Sequence, residues 1–172
     1  MDVTTRRDTI LETIRQSKSP ISASLMAKTF NVSRQVIVGD IALLRAQGFE
    51  IVATARGYIF PEVREVNQYL GKIACCHNPK DTIQELYMIV DLEAVIVDVI
   101  VDHELYGEIT GQLNLKTRDD VDMFIKKVGS AKIKLLSELT AGVHLHTIAC
   151  RDKAHFEGVY KSLEMAGYLF QN

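Results

Sequence analysis

SPISASLMAKTFNVSRQVIVGDIALLRAQG, Ser19 to Gly48, contains two helix starts and one tight connection between them. Ser22 predicts an N-cap, because its hydroxyl can accept a free N–H of the first helical turn. Ile21 and Met26 flank it at the two positions of a hydrophobic staple. That helix runs to Phe30, and Asn31 can take the left-handed conformation that closes it. Ser33 caps the next helix, which extends to about Gln47. Its inner stripe is Ile37, Ile41 and Leu44, spaced i, i+4, i+7, and Gly48 stops it. Two short helices joined at Asn31-Val32 make a helix-turn-helix.

The flanks complete a larger unit. Upstream, Thr5-Arg6-Arg7-Asp8 reads as a capping box that opens a first helix. Val3, Ile10, Leu11 and Ile14 lie near one stripe of it, and Lys18-Ser19-Pro20 ends it. Downstream, the β-prone runs Glu50–Ala53 and Tyr58–Phe60 flank Thr54-Ala55-Arg56-Gly57, a hairpin or wing that ends at Pro61. Residues 1–61 therefore predict a winged helix-turn-helix. In such a unit the third helix enters the major groove by its N-terminal end. The candidate DNA contacts are Ser33, Arg34, Gln35, Val36 and Val38. Arg34 and Gln35 carry the donors and acceptors that read guanine or adenine. Arg56, at the wing tip, is placed for a phosphate or the minor groove.

Charge is divided in the same sense. The whole chain of 172 residues has a formal net charge of −2. Residues 1–60 carry eight Lys/Arg against five Asp/Glu, and the remainder twelve against seventeen. A basic head on an acidic body suits a nucleic-acid reader. No apolar run reaches the length of a membrane span, and no signal core precedes the first helix. A cytoplasmic protein is expected, with no membrane partner. Cys75, Cys76 and Cys150 fit no disulfide framework or CxxC motif, so reduced and mostly buried thiols are expected.

Residues 62–70 read as a connector, with some helical character from Val63, Val66, Tyr69 and Leu70. Residues 71–172 form a second module. Lys72–Cys76 predicts a strand, and Pro79-Lys80-Asp81 starts a helix with Ile83, Leu86, Tyr87 and Val90. Ala94–Val101 and Tyr106–Leu113 predict strands around a turn at His103-Glu104. Thr117 caps a helix with Val121, Phe124, Ile125 and Val128. Lys132–Thr140 is ambiguous, and Val143–Cys150 is a strand. Asp152 caps a last helix that Gly167 stops. The order β-α-β-β-α-β-α predicts an α+β fold, helices over a mixed or antiparallel sheet.

The chemistry concentrates in Val143-His144-Leu145-His146-Thr147. Side chains two apart on a strand share a face, so His144 and His146 point the same way. Such a pair either chelates a divalent ion or consists of two solvent-facing or hydrogen-bonded strand histidines. His77, just past the first strand, and Glu85, eight residues on, would extend it to a Zn²⁺- or Ni²⁺-binding set of three imidazoles and one carboxylate. His103 and Tyr106 are candidate ligand contacts, His103 otherwise being a turn residue. Cys75 and Cys76 adjoin His77 and could ligate a metal, but read first as buried thiols. Glu93, Asp98 and Asp102 read as strand polarity.

Ser33-Arg34-Gln35-Val36-Ile37 with Asp40-Ile41 resembles the recognition helix of winged-helix regulators in the biotin-repressor class. Cys76-His77-Asn78-Pro79, His103-Glu104-Leu105-Tyr106-Gly107-Glu108-Ile109 and Gly142-Val143-His144-Leu145-His146-Thr147 together resemble the three-histidine (3H) domain. The combination is similar to the niacin-responsive repressors. That resemblance implies an HPr-like sensor fold, an operator-bound homodimer and a metal held by His77, Glu85, His144 and His146. It further implies repression of niacin-uptake and NAD-synthesis genes, with nicotinic acid as co-repressor, and no catalytic residues. The residues alone leave two rivals: a regulator sensing the metal itself, and a metal-dependent hydrolase.

Overall fold

The computed structural model describes residues 2–61, 68–131 and 133–171. The chain divides into two compact units, Met1–Arg64 and Glu65–Asn172. The expected connector positions 62–67, including Val63 and Val66, lie outside the described residues.

In the first unit, helices α1 (Val3–Gln16), α2 (Ala23–Phe30) and α3 (Arg34–Ala46) are followed by strands β1 (Val52–Thr54) and β2 (Gly57–Ile59). The caps form as the sequence predicts for the inner pair. Ser22 accepts from the Leu25 N–H, Ser33 accepts from the Val36 N–H, and Asn31 closes α2 at φ +53°. The start of α1 differs. Asp2, not Thr5, is its N-cap, accepting from the N–H groups of Thr4 and Thr5. A carboxylate at the helix N-terminus meets the positive end of the helix dipole and out-competes the hydroxyl three residues on. Val3 is consequently exposed rather than part of the inner stripe. Ile10, Ile14, Met26, Ile37, Ile41 and Leu44 fill the core. Burying each such side chain stabilises the unit by roughly 1.5–3 kcal/mol.

The wing is held by more than its own hairpin. Ile21, between α1 and α2, exchanges two backbone hydrogen bonds with Tyr58, both 2.9 Å. Gly57 lies beside this bridge at φ +142°, where a Cβ would stand 2.3 Å from the Ile21 carbonyl oxygen. Only glycine fits there.

The recognition helix is anchored by a charge. Asp40 on α3 is buried, and Arg6 Nε (2.7 Å) and Arg7 Nε (2.9 Å) from α1 each donate to one of its oxygens. Burial pushes the Asp40 pKa up, but the two guanidinium bonds outweigh it and hold the carboxyl below its ordinary value. Asp40→Ala removes the shared acceptor and frees α3 to shift against α1. The expected result is a thermal midpoint several degrees lower, together with weaker operator binding. A variant that melts lower but binds DNA as the parent does would limit Asp40 to stability.

The second unit contains β3 (Tyr69–Cys76), α4 (Thr82–Asp91), β4 (Val95–His103), β5 (Gly107–Leu115), α5 (Arg118–Ala131), β6 (Val143–Cys150) and α6 (Lys153–Met165). This is the predicted β-α-β-β-α-β-α order in an α+β chain. The sheet order is β3-β6-β4-β5, and every pair is antiparallel. Strand β3 starts at Tyr69, so Tyr69 and Leu70 pair with Cys150 and Ala149 rather than serving as connector. His103 ends β4, and the turn occupies 104–106. Part of the ambiguous segment 132–140 is a short 3₁₀ helix, Leu136–Thr140.

Helix α4 packs on β4, and α6 packs on β3 and β6. The close fit of α6 needs Gly71, since a Cβ there would lie 2.3 Å from the Phe156 ring. Ile73, Leu86, Ile89, Ile96, Leu115, Ile148 and Leu163 form the fully buried core of this unit. No helix among the described residues is long and apolar enough to cross a membrane.

Candidate functional site

The sheet register brings the histidines together. On β6, His144 stands opposite Cys75 and His146 opposite Ile73. Cys75, His144 and His146 are buried on the same sheet face, and His77 follows one residue beyond the end of β3. Glu85 reaches this face from the first turn of α4 and is 0% exposed. Its Oε2 lies 2.7 Å from His77 Nε2. Its Oε1 lies 3.4 Å from His144 Nε2 and 3.6 Å from His146 Nε2. The four residues expected as metal ligands thus converge, with the carboxylate at the centre. The rings of His77 and His144 are 5.0 Å apart and those of His144 and His146 are 4.9 Å apart.

The other nitrogen of each ring is engaged with a backbone carbonyl. His77 Nδ1 bonds to Asn78 O (2.9 Å), His144 Nδ1 to Gly142 O (2.8 Å) and His146 Nδ1 to Asp98 O (2.7 Å). A carbonyl only accepts, so each Nδ1 carries the proton and each Nε2 is left facing Glu85. Metal-binding histidines show this arrangement, in which the outer hydrogen bond fixes the tautomer and aims the ring.

Glu85 Oε1 is buried and receives no hydrogen bond. Leaving a buried carboxylate oxygen bare is costly unless a cation faces it. The donor set therefore fits a divalent ion of the Zn²⁺ or Ni²⁺ kind.

Protons are the other cation the site accepts. Burial works against a charge on His146, but the Glu85 carboxylate and the Asp98 carbonyl raise its pKa above the ordinary value. Burial likewise opposes charge on His77, and Glu85 again raises it. Burial pushes Glu85 up; the charge of His146 and the contacts to His144, His146 and His77 bring it well below the usual carboxylate range. One carboxylate is thus held among ring nitrogens from three histidines.

Backbone geometry holds the ring positions. Gly142, at φ +94°, sits so close to His77 that a Cβ would stand 2.6 Å from the His77 carbonyl oxygen. Its N–H donates to Ser137 O at 2.8 Å, which ties the 3₁₀ turn to the start of β6. Tyr168 lies against His77, with ring centroids 5.4 Å apart. Gly142→Ala is expected to cost about 1–3 kcal/mol of stability from the positive φ alone. It also displaces His77, so a titration with zinc should show weaker binding. Unchanged melting and binding would count against this contact.

Other sequence candidates fall elsewhere. His103 and Tyr106 stack on one another, with centroids 5.2 Å apart, and the Leu105 N–H donates to His103 Nδ1 at 3.2 Å. Tyr106 is 73% exposed at the hairpin tip. The antiparallel register puts this hairpin at the same end of the sheet as His144 and His77. His155, in the first turn of α6 that Asp152 caps, is structural, bonding Leu92 O through Nε2 (2.6 Å).

Two participants escaped the sequence reading, and a third, Cys75, stood there only as a possible ligand. Asp98 is not mere strand polarity: it is buried, its carbonyl holds His146, and its Oδ1 accepts from the Thr147 N–H at 3.0 Å. A lone aspartate inside the run Val95–Val101 was the available signal, since buried carboxylates need donors. Gly142 precedes the HxH pair and was readable as a required turn. Cys75 lies inside the cluster rather than beside it.

In the first unit, Ser33, Arg34, Gln35 and Val36 are exposed at the N-terminal end of α3. Val38 is half-buried and packs against the core of the unit. Arg56 is half-buried in the wing turn, where its N–H donates to Thr54 Oγ1.

A winged helix-turn-helix and a separate α+β module with a buried histidine cluster define a two-module DNA-binding regulator. Residues 6–59 match an HTH domain and residues 71–172 the 3H domain. The chain is 41% identical over 169 residues to the transcription repressor NadR of Bacillus subtilis, covering 97% of this chain and 94% of that protein. It is 39% identical over 166 residues to the probable transcription repressor NiaR of Thermotoga maritima, covering 96% and 94%. The chain belongs to the 3H-domain family of transcription repressors, the niacin-responsive family its motifs resemble. It is a DNA-binding repressor and not an enzyme, so the metal-dependent hydrolase alternative falls.

Proposed function

We propose that this chain represses niacin-uptake and NAD-synthesis genes in the cytoplasm, with nicotinic acid as co-repressor acting at a metal centre. The observation that carries the reading is the bare, fully buried Oε1 of Glu85 facing two imidazoles, with His77 on the other oxygen. His77, Glu85, His144 and His146 hold Zn²⁺ or Ni²⁺, and the carboxylate or pyridine nitrogen of nicotinic acid completes its coordination. His103 and Tyr106, at that end of the sheet, contact the effector. Binding favours the DNA-competent state of a homodimer, and only by the difference in effector affinity between the two states.

Ser33, Arg34, Gln35, Val36 and Val38 from α3, with Arg56 from the wing, contact the operator. Arg34→Ala is expected to weaken operator binding by about 1–3 kcal/mol if it makes a bidentate base contact. Loss at one base position only marks a base reader; uniform loss across operator sequences marks a phosphate contact.

Fluorescence anisotropy of the metal-loaded protein on DNA from upstream of the host's niacin-uptake genes tests the reading. Tighter binding on adding nicotinic acid supports it. Deep burial of all four ligands favours one second reading, a sensor of the metal itself, because little room is left for an organic ligand. Binding that follows metal and ignores nicotinic acid would replace the first reading by this one.

A further inference from the structure

We infer that Cys75 is a metal ligand, so that the centre is a mixed sulfur, nitrogen and oxygen site. The inference rests on the metal reading above and adds a donor that the sequence offers only as a possibility and that the three-histidine pattern does not include.

Among the described residues, the Sγ of Cys75, a carboxylate oxygen of Glu85 and a ring nitrogen of His144 all lie within 4.8 Å of one another. Cys75 and His144 are direct cross-strand partners, a relation that holds their Cβ atoms about 5 Å apart on one face. Cys75 is 0% exposed, so no other partner in solvent competes for the sulfur. The second observation is independent: Glu85 Oε1 is buried, receives no hydrogen bond and lies 3.4 Å from His144 Nε2. Strand β3 is also fixed from outside, because Cys76 N–H donates to Tyr168 O (2.8 Å) and Phe170 N–H donates to Ala74 O (3.0 Å). The Cys75 Cβ therefore stays on the cluster face unless the sheet edge breaks.

On ligation the thiol gives its proton to solvent and the sulfur binds as thiolate. A thiolate among imidazoles and a carboxylate favours zinc, cobalt or nickel over magnesium or manganese. Cys76 on the opposite face and Cys150, opposite Tyr69 and several residues from His144, are internal controls.

Cobalt(II) is the probe, titrated into the full chain and followed by absorption. Expected are visible ligand-field bands plus a near-ultraviolet sulfur-to-cobalt charge-transfer band. That band should vanish in Cys75→Ser and persist in Cys76→Ser and Cys150→Ser. X-ray absorption of the zinc-loaded parent protein gives the same answer without any variant, expected as one sulfur at about 2.3 Å. Ligand-field bands without the charge-transfer band, and no sulfur shell on zinc, would overturn the inference and leave the four-ligand centre standing. No bound metal in either experiment would overturn both.

Discussion

Glu85→Ala melts the C-terminal module well below the parent even without metal, at an expected cost of about 3–5 kcal/mol. The reason is the geometry of the cluster. Three imidazoles face one carboxylate that is 0% exposed, and His77 makes a 2.7 Å bond to it. Removing the centre takes away the partner of His77 and the negative charge that raises the pKa values of His77 and His146, so buried ring nitrogens lose their compensation or the α4 contact must open to water. Glu85→Gln keeps the volume and an acceptor, so its loss should be smaller. Calorimetry on chelator-treated protein checks the stability. Metal analysis after dialysis against zinc should show stoichiometric binding in the parent and none in Glu85→Ala. A variant that melts with the parent would mean that the cluster carries no buried charge.

The second large effect is in pH, and its sign reverses with metal. The folded pKa values of His77 and His146 are raised above 6.5. Their contribution to the metal-free fold is fully present below pH 6.5 and is lost as pH rises through the raised values. Glu85 is lowered well below 4.5, so its contribution is present above pH 4.5 and is lost as pH falls through its folded value. Metal-free protein is therefore most favoured by this cluster between pH 4.5 and 6.5.

A bound ion needs those imidazoles neutral. Below both raised values two protons must leave, so zinc affinity should fall up to ~100-fold per pH unit. Thermal melts across pH 5.5–8, about two units either side of the unperturbed imidazole value or less, should run downhill without metal and uphill with it. Parallel curves would show that metal and protons do not share the site.

Much of this was readable in the residues, for reasons that differ by place. Ser22, Asn31 and Ser33 act through local hydrogen bonds, so sequence neighbours suffice to predict α2 and α3. Val143–Cys150 alternates in burial over its first six residues, and its strand was delimited to the residue. The start of α1 was missed because Asp2 and Thr5 are both good N-caps three residues apart, and spacing does not rank them. Tyr69 and Leu70 were assigned to the connector because Gly71 reads as a breaker; its bareness is instead demanded by Phe156, 85 positions away. The four ligands were legible as a set, since HxH fixes a common face. Asp98 was not, and Cys75 was legible only as a second choice, because what makes each significant is a partner on another strand or helix. Their chemistry depends on register, and register is a long-range property.

The strand order β3-β6-β4-β5 also governs when the cluster can exist. As the chain emerges from the ribosome, β4 and β5 can pair at once as a hairpin. Strand β3 must wait, because its neighbour β6 is the last strand to be made. Tyr168 and Phe170, which seal the outer edge of β3, come later still. Half of the cluster, Cys75, His77 and Glu85, is therefore synthesised nearly sixty residues before His144 and His146, and stands without its counterpart until the final helix is out. The DNA-reading unit is complete long before, so a nascent repressor passes through a stage with a finished reader and an unassembled sensor.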